Sequence, residues 1–144
     1  MNSKRINKPW GHEIIFAHTD MYVGKILHIN AGQALSLQYH NTKDETIMVQ
    51  FGRIQIEYFK RGDKKNRKVL DMVPGDTFHI LPGIVHRMIA CQDAEIVEVS
   101  TPELDDIVRL EDRYGRGKND LNGNKNEFFL IKFLSWVRSI FKKR

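Results

Sequence analysis

Apolar and polar residues alternate through the first hundred positions of the chain. The runs YVGKILHI (22–29), ALSLQYH (34–40), ETIMVQ (45–50), RIQIEYFK (53–60), TFHI (77–80), VHRMI (85–89) and EIVEVS (95–100) are each short and rich in β-branched and aromatic residues. Turn residues separate them: Ala31-Gly32, Asn41 to Asp44, Phe51-Gly52, Arg61-Gly62-Asp63, Pro74-Gly75-Asp76 and Pro82-Gly83. A period of two puts successive side chains on opposite faces, so these runs predict strands. Many short strands with regular turns predict an all-β antiparallel sandwich or barrel. The charged run KRGDKKNRK (60–68) reads as a solvated hairpin loop.

Beyond residue 100 the period changes. STPELDDIVRLEDRYGR (100–116) reads as a turn leading into a short helix, with Thr101 as cap, Pro102 in the first turn and acidic residues after it. GKNDLNGNKN (117–126) has linker composition. EFFLIKFLSWVRSIFKKR (127–144) predicts a second helix, with Leu130, Phe133, Leu134, Val137 and Phe141 on one stripe and Lys132, Ser135, Arg138 and Ser139 largely elsewhere. The expected organisation is a β domain over 1–116, a flexible linker over 117–126 and a basic amphipathic C-terminal helix over 127–144.

Composition narrows the class. With 144 residues, 41% hydrophobic and 28% charged, the chain suits one soluble globular domain. A lone Cys91 excludes an intrachain disulfide and favours a reducing compartment. The start, MNSKRINKPWG, lacks the apolar core of a secretory leader, and no apolar run is long enough to span a bilayer, so the expectation is a cytoplasmic protein. The net charge of +5 belongs to the tail: residues 1–116 hold 16 basic and 16 acidic residues, whereas 117–144 hold 7 and 2. Nothing in that distribution favours nucleic acid.

The stretch SLQYHNTKDET (36–46) carries the chemistry. In a strand, Ser36, Gln38 and His40 share one face, and the NTKD turn returns Glu45 beside His40. His86, just after the LPG turn, offers a fourth donor from a later strand. Two imidazoles, one carboxylate and one amide oxygen suit one divalent ion, zinc first, with manganese, iron or nickel as alternatives. With a single anionic ligand such an ion stays a Lewis acid.

The spacing is more specific than the residue types. Gly32, Gln38, His40, Glu45 and Gly52 form one pattern; Gly75, Leu81, Gly83 and His86 form a second. The two blocks resemble the two motifs of the cupins, with Gln38 where the first ligand is usually His. KPWGHE (8–13), GKILHINAGQALSLQYH (24–40) and LDDIVRLEDRYGR (104–116) resemble stretches of the cupin domain of type II mannose-6-phosphate isomerases. The likeness covers about residues 8–116. It implies a cupin-type jelly roll, a metal-dependent aldose–ketose isomerisation of the mannose 6-phosphate/fructose 6-phosphate type, and a sugar phosphate or nucleotide sugar as partner.

Isomerisation through an enediol also needs a base and a cation for the phosphate. Lys25 alternates with Val23, Leu27 and Ile29, so it faces the barrel interior if that face is the core, and it matches the family's lysine. Arg109 matches the family's arginine, whose implied role is to hold phosphate or the transition state. Arg87 should point away from the site, Asp44 suits an acceptor behind a ligand, and His12, His28 and His79 fit no ligand spacing. Two alternatives stay open: a non-catalytic metal- or sugar-binding or regulatory cupin, and an Fe(II) oxygenase cupin. For the tail, the preferred reading packs 127–144 on the barrel or in a homodimer interface; the other lays it on an anionic membrane surface.

Overall fold

A computed structural model describes residues 2–116. Eleven strands are present among them: β1 Lys4–Lys8, β2 Gly11–His18, β3 Val23–Ile29, β4 Leu37–Tyr39, β5 Glu45–Phe51, β6 Ile54–Lys60, β7 Lys68–Met72, β8 Thr77–Ile80, β9 Ile84–Ala90, β10 Ala94–Ser100 and β11 Val108–Glu111. They form a six-stranded sheet, β1-β2-β3-β10-β5-β8, and a five-stranded sheet, β11-β4-β9-β6-β7. All pairings are antiparallel. The sheets close on a core that includes Trp10, Leu27, Ile47, Ile56, Met72 and Ile96. This is the antiparallel all-β architecture that the alternation predicts and the jelly roll that the resemblance implies.

All seven predicted runs are strands, with ends shifted by a few residues at most. The charged loop holds a single 3-10 turn, Lys64–Asn66, between β6 and β7. Four further strands, β1, β2, β7 and β11, are not among the predicted runs. β1 and β7 are edge strands with mostly exposed side chains, so burial leaves little alternation in their sequence.

The short helix expected within 100–116 is absent; a turn and β11 stand there instead. Thr101 caps a different piece of backbone. Its Oγ1 accepts from the Asp44 N–H at 3.1 Å, and its own N–H donates to the Asp44 carbonyl at 3.0 Å. β11 then pairs with β4, which otherwise has no neighbour on that side, and Val108 packs against Leu37, Tyr39, Phe59 and Val85. Ladder pairing and burial outweigh the local helix signals. The predicted linker 117–126 and helix 127–144 lie outside the described residues. Among the described residues, no helix is long and apolar enough to cross a membrane.

Gly83 shows how the fold joins the two halves of the site. It turns the chain into β9 with φ +82, a left-handed conformation that favours glycine, and its N–H donates to the His40 carbonyl at 2.8 Å. The loop before His86 is thereby tied to the residue at the end of the first block.

Candidate metal centre

The alternation in SLQYH is realised as a division of faces. Leu37 and Tyr39 pack in the outer cluster with Phe59 and Val85, while His40 is buried on the inner side. Gln38 lies directly across from His86 in the β4–β9 pairing, so the two point to the same face. The NTKD turn brings Glu45 back at the head of β5. His40, Glu45 and His86 converge, each 3% exposed or less, with one donor atom of each within 4.8 Å of the others.

The hydrogen bonds behind these groups decide what they present. His40 Nδ1 contacts the Asp106 carbonyl, and His86 Nδ1 contacts the Ile84 carbonyl at 3.0 Å. A neutral imidazole that donates from Nδ1 presents a lone pair at Nε2. Both Nε2 atoms lie 3.2 Å from the same oxygen, Glu45 Oε1. His86 Nε2 is buried and makes no hydrogen bond. In that tautomer three lone-pair atoms face one another, which a cation would resolve; with Nε2 protonated instead, His40 hydrogen-bonds Glu45 Oε1. Two donors each about 2.1 Å from one ion stand roughly 3.0 to 3.4 Å apart, so these separations fit a zinc-sized ion. The residues present therefore fit the ion that the sequence suggested.

The loop that carries the site is fastened by Asp106. Its carboxylate accepts from the backbone N–H groups of Asn41 (2.9 Å), Thr42 (2.7 Å) and Lys43 (2.9 Å), and from the Thr42 hydroxyl (3.0 Å) and the Asn41 side chain (3.1 Å). Burial pushes its carboxyl up, but those donors together outweigh it and hold the group far below the usual range. Sequence reasoning missed this role, although Asp106 stands inside the LDDIVR stretch that carries the resemblance.

It also missed the charges around Glu45. Lys43, read as part of a polar turn, is 4% exposed; its Nζ bonds Glu45 Oε2 and reaches Glu98 Oε1 at 2.8 Å. Burial would raise the Glu45 carboxyl, but His40, His86 and Lys43 outweigh it and hold it well below the ordinary value. Burial would lower the Lys43 ammonium, and Glu98 and Glu45 outweigh that too, so it is raised. Glu98 is pushed up, first by burial and then by the Glu45 charge. The signal was available: Ile96, Glu98 and Ser100 alternate onto one face of β10, and Ile96 is core.

Lys25 lies across from Glu98 in the β3–β10 pairing, is 8% exposed, and has its Nζ 3.7 Å from Glu13. Its face is the core face, shared with Leu27 and Ile29. Arg109 lies across from Gln38 in the β11–β4 pairing, on the side of the ligands, and its Nε is buried with no hydrogen-bond partner among the described residues. Arg87 lies on the face of β9 opposite to His86 and pairs with buried Glu57 at 2.9 Å. Asp44 Oδ1 accepts from His79 Nε2 at 2.8 Å rather than standing behind a ligand imidazole. His12 and His28 stack on each other away from the centre.

Residues 1–112 match the family described as mannose-6-phosphate isomerase C-terminal. The chain belongs to that family. Among curated relatives, the xanthan biosynthesis protein XanB of Xanthomonas campestris pv. campestris is 30% identical over 118 residues, 78% of this chain and 24% of that protein. Mannose-1-phosphate guanylyltransferase ManC of Salmonella typhimurium is 27% identical over 118 residues, 78% of this chain and 23% of that protein. The chain spans about a quarter of the length of these relatives. Among solved structures, the capsular polysaccharide assembling protein CapF of Staphylococcus aureus superposes with TM-score 0.65 at 18% identity, over 77% of this chain and 35% of that one. Oxalate decarboxylase of Bacillus subtilis gives 0.66 at 14%, over 76% and 30%. These two likenesses speak for the cupin fold alone.

Proposed function

We propose that this cupin binds one divalent ion through Gln38, His40, Glu45 and His86 and isomerises a phosphorylated sugar, in the manner of mannose 6-phosphate and fructose 6-phosphate. The observation that carries the reading is the trio of lone pairs: two imidazole Nε2 atoms aimed at one oxygen of Glu45, each 3.2 Å away, with both Nδ1 atoms already engaged. Family membership supplies the sugar-phosphate connection. A bound ion would polarise the substrate carbonyl as a Lewis acid. In the forward direction a base takes the proton from C2 of the aldose and returns it to C1, while the hydroxyl proton moves from O2 to O1. Lys25 is proposed for the C2–C1 transfer because it stands on the core face, across from Glu98 and close to Glu13. Arg109, beside Gln38 with an unpartnered Nε, is proposed to hold the phosphate or the enediolate.

The test is metal analysis of the purified protein, followed by a sugar-phosphate panel with zinc, manganese, iron and nickel in turn. Ion uptake with turnover supports the reading; ion uptake with no turnover on any sugar leaves the non-catalytic binding cupin, and oxygen consumption with iron selects the oxygenase. The engagement of Lys25 with Glu13 at 3.7 Å favours the binding cupin as the second reading, because a structural ion pair needs no turnover.

A further inference from the structure

The ring of buried charges behind the metal ligands has an order. Glu45 Oε1 faces the imidazoles, and Glu45 Oε2 is bonded to Lys43. Lys43 is bonded in turn to Glu98, and Lys25 lies across the strand pairing from Glu98. Glu45, Lys43 and Glu98 are each 5% exposed or less. Beyond them, Glu13 stands between Lys25 at 3.7 Å and Lys8 at 3.3 Å. The ammonium fixes which carboxylate oxygen of Glu45 is left for an ion. It also cancels the charge of Glu45, so the negative charge left over in the row of three is that of Glu98.

We infer that Glu98, whose hydrogen bond goes to Lys43 and not to a metal ligand, sets the affinity of the centre for a divalent cation by acting through Lys43. Ion binding is thus controlled by the charge balance of the row Glu45–Lys43–Glu98 rather than by Glu45 alone. This rests on the metal reading above. With Glu98 ionised the row carries one net negative charge. With Glu98 neutral it carries none, and an entering dication gains no net attraction from the row in a water-poor interior, where charge interactions are strong. Glu98 is therefore a positioning residue, and its effect should follow charge rather than shape.

The experiment is a calorimetric titration of the full chain with Mn²⁺ and with Zn²⁺ at pH 8, alongside thermal unfolding of each ion-free variant. Glu98→Gln should weaken binding at least tenfold. The double variant Lys43→Met/Glu98→Gln removes one charge of each sign and should return to within about threefold of wild type, a rescue that lost packing does not produce. Lys43→Met alone leaves two carboxylates and should bind at least as tightly as wild type, which keeps the test open if Glu98→Gln does not fold. Equal affinity of wild type and Glu98→Gln, a double variant no better than Glu98→Gln, or a folded Lys43→Met that binds more weakly would each overturn the inference. A wild-type protein that takes up neither ion overturns instead the metal reading on which it rests.

Discussion

Asp106→Ala should do more damage than any other change on the rim of the site. Five hydrogen bonds end on this carboxylate, three from consecutive backbone N–H groups. Bonds to a charged acceptor are worth about 1.5 to 3 kcal/mol when their donors are left unsatisfied. Asn41 and Thr42 are exposed, so their donors turn to water and count for little. The Lys43 N–H belongs to a buried residue and carries most of the loss. The sum is about 2 to 3 kcal/mol, or a fall of roughly 10 °C in Tm for a domain of this size. Urea unfolding measures it, and Asp105→Ala is the control, since Asp105 is an exposed neighbour whose removal should cost under about 0.5 kcal/mol. The same variant frees the Asp106 carbonyl that holds His40 Nδ1, so divalent-ion affinity should drop by about 10- to 100-fold. Equal midpoints and equal affinities for the Asp105 and Asp106 variants would refute the claim that this aspartate holds the ligand loop.

Acid should expose the same interaction. The folded carboxyl of Asp106 is depressed, so its contribution is fully present above the unfolded value of about 3.9 and is lost as pH falls from there toward the folded value; the stability gap between wild type and Asp106→Asn should start to narrow below about pH 5 and still be narrowing below about pH 3 in urea titrations. His86→Ala removes one of three converging donors and should abolish stoichiometric zinc uptake in metal analysis, and a chelator should lower the Tm of ion-loaded wild type but not of this variant. If the protein proves an isomerase, Lys25→Ala should lower kcat by about 10²-fold, whereas Arg109→Ala should chiefly raise KM if it only grips phosphate and lower kcat if it stabilises the enediolate. For the tail, deletion of 127–144 should convert a dimer to a monomer in sedimentation if the segment is an interface; binding of the full chain to anionic but not neutral vesicles, lost on the same deletion, would select the membrane surface.

What the sequence disclosed follows from what sets a pattern. Residues whose two neighbours face the opposite way, such as Gln38 and His40 between Leu37 and Tyr39, declare their face, because the alternation that buries leucine must also aim the ligands. Spacing within a hairpin then brought Glu45 back to His40. The support of the site was harder to see because it is long-range. Lys43 reads as a turn residue until Glu98, 55 positions away, is placed opposite it. Asp106 reads as an early acidic residue of a helix until the backbone it caps proves to be that of Asn41 to Lys43. Thr101 misled for the same reason: a capping side chain announces that it will satisfy backbone N–H groups, not whose they are.

The distribution of charge in the interior argues that the polar end of the barrel is there for binding and not for stability. One part of the interior is filled by Trp10, Ile47, Ile56 and Ile96, packed as in any core. The other holds Glu45, Lys43, Glu98, Lys25 and Glu13, each buried. Burying paired charges repays their desolvation only when the geometry is good, and apolar replacements of similar volume are often as stable or more so. A fold selected for stability alone has no need of this row, since the leucines and isoleucines on the same strands would fill the interior. On the proposed reading the row receives a charged guest: the carboxylates would meet a cation, the ammonium fixes which oxygen is left for it, and Arg109 on the neighbouring edge strand would meet an anion. A dication and an anionic sugar phosphate together supply both of those opposite charges.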